Sequence, residues 1–446
     1  MSVSLLALVL ILAVACGGGD EDGEGAIRVT TRAHTVPPVP ATTTATTAPE
    51  GSTEQQATTA PPRTTSPTTT SPTTSPTTTS PTTTSTLPPA PVPATTGAEP
   101  SAGPSFVVGA VDDAARHQGP VLEQLAAAGF GALAITSYWD PGRSRPSRQE
   151  LGVLRDVARR AATRELRVFL SVFHRGSANT PLTPETRAQF ASYVAAIVRE
   201  VPAIRDVIVG NEPNVNRFWQ PQFGSGGESA AAPSYLSLLA QVYDAAKQAD
   251  ADVFIWGGAL GPRGSDRPEG ARPTHSPGMF IRELGTALRA SGRARPVLDG
   301  FAYHPYPETS STPPDLEHPN PRSRTIGLAD VARLKELLRE AFGRELPILY
   351  SELGVETVIP PEKARLYRDA EPAQPAGERT QADFYRQALE LAACQEGVVG
   401  MLLFHSHDEP SLIGFQSGVY YVDGTPKSSL PAVRKAILAA RAGCVR

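Results

Sequence analysis

The sequence predicts an α/β fold, a (β/α)8 TIM barrel, preceded by a signal peptide and a disordered Thr/Ser/Pro-rich linker. Three observations carry that expectation. From Ser105 onward, short β-rich apolar runs alternate with longer helical patterns, which argues for βα units around a parallel sheet. Eight such pairs fit into roughly 340 residues, the count and length of a (β/α)8 barrel. The main rival, an open doubly wound sheet, carries a Gly-rich phosphate turn after its first strand. The corresponding "VVGAVDDAARHQG" is a poor version of one.

The first element is "MSVSLLALVLILAVAC", residues 1–16. Its apolar run is too short for a comfortable membrane span and fits a signal-peptide core. It ends in small residues and Cys16, followed by "GGGDEDGEG". This resembles a bacterial lipoprotein signal, which implies that Cys16 becomes the lipidated first residue and anchors the chain to a membrane. The alternative is an ordinary secretory signal. Either way the remainder is expected to be exported, at the outer face of the membrane or beyond it.

Residues 17–104 form the second element. "TTSPTTTSPTTSPTTTSPTTTSTLPP" has almost no apolar side chains, so it cannot offset the entropy of ordering. At roughly 3 Å per residue, a proline-stiffened tract of this kind reaches up to about 200 Å. Its composition suits O-glycosylation. A stalk and a passive linker are both consistent with it.

The third element, 105–446, is the folded domain. The strand patterns are "SFVVGAV" (105–111), "FGALAIT" (130–136), "LRVFLSVF" (166–173), "RDVIVGN" (205–211), "ADVFIWGGA" (251–259), "LDGFAYH" (298–304), "LPILYSE" (346–352) and "GVVGMLLFHS" (397–406). Helical patterns separate them, from "GPVLEQLAAAG" to "RTQADFYRQALELAACQ", and "SSLPAVRKAILAARAG" closes the chain. Cys394 falls late in the seventh helix and Cys444 just after the eighth. These helices are neighbours in a closed barrel, and in an exported protein an even pair invites a disulfide. Two buried thiols are the alternative. A formal net charge of −4 gives no electrostatic support for a nucleic-acid partner.

In a barrel of this kind, functional groups sit at the C-terminal ends of the strands. Glu212 leaves the fourth apolar run in "VIVGNEPNV" with no turn between, and Glu352 leaves the seventh in "ILYSELG". A charged Glu is rarely fully buried without a partner, so each is either a loop cap or part of a site. "GNEPN", "YHPYP" after the sixth strand and "YSELG" after the seventh resemble the clan A glycoside hydrolases, retaining (β/α)8 enzymes. The resemblance spans the folded domain. It implies that Glu212 is the acid/base and Glu352 the nucleophile. It further implies that Asn211 binds the sugar 2-hydroxyl and that His304 and Tyr306 orient the carboxylates. The implied partner is an oligo- or polysaccharide, with no cofactor and no metal.

Aromatic side chains near the mouth suit a sugar, whose C–H faces stack on flat rings. Trp219 follows Glu212, and Tyr138 and Trp139 follow the second strand; loop packing is the alternative for each. Trp256, inside the fifth strand, reads as core. The family often has a Trp at the end of strand eight, where this chain reads "LLFHSHDEP", so Phe404 or His405 takes that place. His174 ends strand three and either lines the cleft or caps the strand. His-x-His in "HSHD", with His174 and His304, also fits a metallohydrolase. A non-catalytic carbohydrate-binding barrel is the third reading. The insert "PETSSTPPDLEHPNPRSRT" after strand six is expected to wall one end of the cleft. The sugar, exo or endo action and the oligomeric state are not legible.

Overall fold

The computed structural model describes residues 106–444, apart from 310, 321, 322 and 373. The signal at 1–16 with Cys16, and the stalk at 17–104, lie outside the described residues. Eight parallel strands close into a barrel in chain order. They are β1 (Val107–Val111), β2 (Ala132–Trp139), β3 (Arg167–His174), β4 (Asp206–Val209), β5 (Phe254–Leu260), β6 (Gly300–Tyr303), β7 (Ile348–Leu353) and β8 (Val398–Phe404). Pairing of β1 with β8, from Val107 opposite Gly400 to Val111 opposite Phe404, closes the ring.

The helices are α1 (Gly119–Ala127), α2 (Arg148–Ala162), α3 (Pro184–Glu200), α4 (Ala231–Ala249), α5 (Pro277–Ala290), α6 (Val331–Phe342), α7 (Glu378–Cys394) and α8 (Leu430–Ala442). Local chemistry starts and stops them. Ser147 caps α2 by accepting from the Glu150 N–H, and Ser276 caps α5 through the Met279 N–H. Thr183 and Thr186 form a capping box at α3. Gly343, at φ +67°, ends α6 in the left-handed region that glycine enters without strain.

Two apolar layers result. Inside the ring, Ala132, Ala134, Phe169, Ile208, Trp256, Ala302, Leu349 and Leu402 pack on one another. Small residues are needed there: a Cβ on Gly109 would stand 2.6 Å from Leu402 Cδ2. Trp256 is core, its indole N–H donating to Asp206 at 3.0 Å. The larger layer lies between strands and helices, and Tyr235, Phe280, Leu334 and Ile437 are fully or almost fully buried in it. Cys394 and Cys444 are joined as a disulfide with their Cα atoms 4.6 Å apart, tying the end of α7 to the chain after α8.

Several strands end earlier than the apolar runs suggested. β4 stops at Val209 and β8 at Phe404, so Asn211, Glu212, His405 and Ser406 all belong to the rim. Two bulges shape that rim. The β5–β6 register shifts between Gly258 and Leu260, and the β7–β8 register shifts between Tyr350 and Leu353. With Leu349 facing inward, strict alternation would turn Glu352 outward. The bulge re-aims it into the mouth, a common use of bulges beside functional sites.

Candidate active site

Glu212 leaves β4 in a left-handed backbone conformation, φ +39°, which is uncommon for a residue with a side chain. The conformation is held from both sides. The Glu212 N–H donates to the Ala259 carbonyl at 2.8 Å, and its own carbonyl accepts from the Val215 N–H at 2.9 Å. Its carboxylate lies against Gly261, where a Cβ would come within 3.0 Å of Oε1.

The loop after Glu212 is fastened by buried amides. Asn214 is fully buried. Its side-chain nitrogen donates to the carbonyls of Gly261 and His275 at 3.1 and 3.0 Å, and its oxygen accepts from the Gly261 N–H at 2.9 Å. Gln222 donates to the Pro213 and Trp219 carbonyls and accepts from His275 Nδ1 at 2.8 Å. Burial pushes the His275 pKa down to about 4, so the ring is neutral and suited to this role.

One histidine joins the two carboxylates. His304, at the end of β6, is buried to within 2% of its surface. Its Nδ1 lies 3.1 Å from Oε1 of Glu212 and 3.5 Å from Oε2 of Glu352. Those two oxygens can be no further apart than the sum of these distances. Tyr306 points its hydroxyl at Oε2 of Glu352 at 3.5 Å, a long contact of the kind that tightens when a ligand binds. Burial favours a neutral His304, but Glu352 and Glu212 outweigh it and raise the pKa. Burial raises Glu352; the neighbouring His304 opposes this and Glu212 adds to it. Burial and the same two carboxylates hold Tyr306 well above the usual phenol range, so it stays a donor. Each of His304, Glu352 and Tyr306 is thus shifted by its neighbours in the cluster.

The remaining site residues divide. Asn211 is half-buried beside Glu212, and its amide is uncommitted among the described residues. Phe404 and His405 stand at the β8 rim, ring centroids 4.0 Å apart, across a cis peptide bond. His405 Nδ1 donates to the Val111 carbonyl at 3.2 Å, and the ring is within electrostatic reach of Glu352. Tyr138 reaches the mouth, but one face of its ring is covered by the Arg175 guanidinium at 4.1 Å.

Three expectations need correction. Trp139 is fully buried, its indole donating to the Arg143 carbonyl and its ring against Phe190 of α3. Trp219 is 1% exposed, edge-on to Tyr235 of α4. Both belong to the packing between strands and helices and present no face to a sugar. His174 is a strand cap: Nδ1 donates to the Gly176 carbonyl at 2.9 Å, the ring packs against Trp219, and burial lowers its pKa. The histidines do not converge. His407 turns away to Asp112 and Gln124, and among the described residues no three His, Cys, Asp or Glu side chains are gathered as ligands. The insert after β6 packs on the β5 loop, through Arg263 to the Pro307 carbonyl and Arg324 to Asp266.

Sequence reasoning missed Asp113 and Glu356 at the rim and the Lys427–Asp408 pair behind it. Burial, with the carboxylates of Glu371, Glu409 and Asp408, pushes Glu356 up to about 7 from 4.5. A raised carboxyl pKa gives stability that is complete below the unfolded value and is lost as pH rises through the folded one. Glu356→Gln is therefore expected to flatten the fall in melting temperature between about pH 4.5 and 7. An unchanged slope in thermal melts across that window contradicts the assignment.

No family model and no curated protein matches the chain. Solved structures share its fold. It is similar to a glucosidase from Croceicoccus marinus, with TM-score 0.53 and 11% identity over 77% of this chain and 68% of that one. It is similar to GH5_18 from Streptomyces cattleya in complex with GlcNAc, with TM-score 0.52 and 16% identity over 77% and 83% of the two chains. A second GH5_18 structure, in complex with Manb1-4GlcNAc, gives TM-score 0.50 and 16% identity over 75% and 80%. At these identities the likeness is one of fold.

Proposed function

We propose that the chain is a retaining β-glycosidase in which Glu352 is the nucleophile and Glu212 the acid/base. The observation that carries this reading is the shared histidine, whose Nδ1 bridges the two strand-end carboxylates. The resulting limit applies to the two oxygens that face His304, and it is compatible with the roughly 5–5.5 Å between carboxyl groups of retaining enzymes. The proteins that share the fold include a glucosidase and structures holding GlcNAc or Manb1-4GlcNAc, which agrees with a carbohydrate partner.

In this reading a Glu352 oxygen attacks the anomeric carbon while Glu212 protonates the leaving oxygen. The covalent glycosyl-enzyme is then opened by a water that Glu212 deprotonates. His304 and Tyr306 donate to the carboxylate that carries the negative charge. That work is needed because burial alone opposes ionisation of Glu352. Asn211, whose amide is uncommitted among the described residues, is the group suited to the 2-hydroxyl of the bound sugar. We further read the chain as exported, with Cys16 as a lipid anchor and residues 17–104 as a spacer; metabolic labelling with a fatty-acid probe, in the parent and Cys16→Ser, tests this.

Leaving-group dependence tests the division of roles. Glu212→Gln is expected to lower kcat/KM by about 10²–10⁴-fold on unactivated disaccharides. On aryl glycosides with strongly acidic leaving groups, which depart without a proton, kcat/KM should fall by less than about tenfold. Equal losses on both substrates would remove Glu212 from the acid role. The dependence appearing in Glu352→Gln instead would exchange the two roles.

A further inference from the structure

The β1–β2–β3 arc of the mouth carries polar groups that the proposed chemistry leaves unused. Asp113 follows β1, and its Oδ1 accepts from the Thr136 N–H at 2.6 Å. The Thr136 side chain also hydrogen-bonds this carboxyl, and burial raises the Asp113 pKa while Thr136 and Arg116 oppose the rise. Tyr138, at the rim end of β2, has an uncommitted hydroxyl among the described residues. Arg175 covers one ring face and Phe173 meets the ring edge at 5.1 Å, so the ring is fixed. Burial, then the Asp113 charge, pushes the Tyr138 phenol up to about 12, while Arg175 opposes and Glu409 adds to the rise. Groups from the β1, β2, β3 and β8 rims thus lie within electrostatic reach of the Tyr138 hydroxyl.

A phenol that keeps its proton donates, and a carboxylate accepts. A sugar hydroxyl does both, so a donor beside an acceptor matches it. We propose that Asp113 and Tyr138 form a subsite that hydrogen-bonds the hydroxyls of a neutral sugar ring and disfavours a sugar carrying a carboxylate. The proposal rests on the glycosidase reading and names the substrate class of the same cleft. A uronate would bring another negative charge against Asp113 and Glu409. Arg116, the cation behind Asp113, is already engaged by Glu150 and the Thr136 carbonyl. Arg175 is exposed, so water screens it.

The test compares the parent with Asp113→Ala, Asp113→Asn and Tyr138→Phe. Rates are read on neutral aryl β-glycosides, their monodeoxy analogues and the matching β-glucuronide, and binding of the neutral saccharides is followed by titration calorimetry. Asp113→Ala is expected to lower kcat/KM on the best neutral sugar by about 10–100-fold, the size of a lost hydrogen bond to a charged group. Removing one particular hydroxyl should hurt the parent by a similar factor and the variant by less than about threefold. Asp113→Asn, which keeps an acceptor for Thr136, should narrow the preference for the neutral sugar over the glucuronide. Tyr138→Phe should produce the same deoxy pattern, smaller, with the Asp113–Thr136 bond intact. Identical deoxy penalties in the parent and every variant overturn the subsite while leaving the glycosidase reading in place. A parent that binds a saccharide but hydrolyses none, with binding lost in Asp113→Ala, keeps the subsite and removes the hydrolytic reading. A parent that binds no saccharide overturns both.

Discussion

Glu352→Gln is expected to lower kcat by about 10⁴–10⁶-fold on every substrate, whatever its leaving group, because loss of one member of a catalytic unit removes most of what the unit does. The exchange is nearly isosteric, and the amide oxygen can still accept from Tyr306 and His304. The fold therefore has no reason to change. Stability is expected to hold or rise. Burial raises the Glu352 pKa, so its charged form weakens the folded state as pH increases. Gln carries no such penalty, and an active-site residue that opposes stability is a common trade. Kinetics on activated aryl glycosides and thermal melts at neutral pH check both halves. Activity within tenfold of the parent would mean that Glu352 is not the attacking group.

Lys427→Met is expected to destabilise the fold by about 3–5 kcal/mol, the range for leaving a buried charge without its partner. Lys427 and Asp408 are both fully buried and stand 2.8 Å apart. All three ammonium protons are used: besides Asp408, Nζ donates to Thr357 Oγ1 at 2.6 Å and to the Gln416 carbonyl at 2.9 Å. Asp408 also accepts from the Tyr367 hydroxyl at 2.7 Å and the Gly418 N–H at 3.0 Å. Thr357 belongs to the loop after β7, and Asp408 and Gln416 to the loop after β8. The lysine thus locks together the two loops that leave the strands bearing Glu352 and Phe404. In Lys427→Met, Asp408 remains as an uncompensated carboxylate. Adding Asp408→Asn removes that charge and leaves an amide oxygen to accept from Gly418 and an amide N–H to donate to the Tyr367 hydroxyl oxygen, so the double variant should recover part of the loss. Urea unfolding of the two variants measures this. A double variant no more stable than the single one would place the cost in lost packing, not in the stranded charge.

Much of the architecture was legible because period and length suffice for it. Eight apolar runs separated by amphipathic helices leave little choice but a ring. Glu212 and Glu352 stood out because each leaves an apolar run without a turn. The aromatic residues were harder. Proximity to a strand end does not say which side of the barrel wall a ring takes. Along β2 the inward positions run Ala132, Ala134, Thr136 and Tyr138, so Trp139 must turn out onto α3. Parity carried that answer, while nearness to the mouth did not. Trp219 had no such rule, because it lies in an irregular loop and its burial depends on Tyr235 of α4. The β7 bulge that aims Glu352 inward has no sequence mark, since it arises from pairing with β8. Lys427 carries no local mark of burial before the last helix; its burial rests on Asp408, nineteen positions earlier. Asp113 was passed over as part of a weak phosphate turn, although it stands just past the end of β1, where functional groups of such a barrel sit.

The most direct test of the central claim is the anomeric configuration of the first product released from the best aryl β-glycoside, followed by proton NMR before mutarotation. Two carboxylates bridged by one histidine predict that the β-anomer appears first and the α-anomer only as the mixture equilibrates. The α-anomer appearing first would mean inversion, and would contradict Glu352 as a nucleophile and the covalent intermediate together.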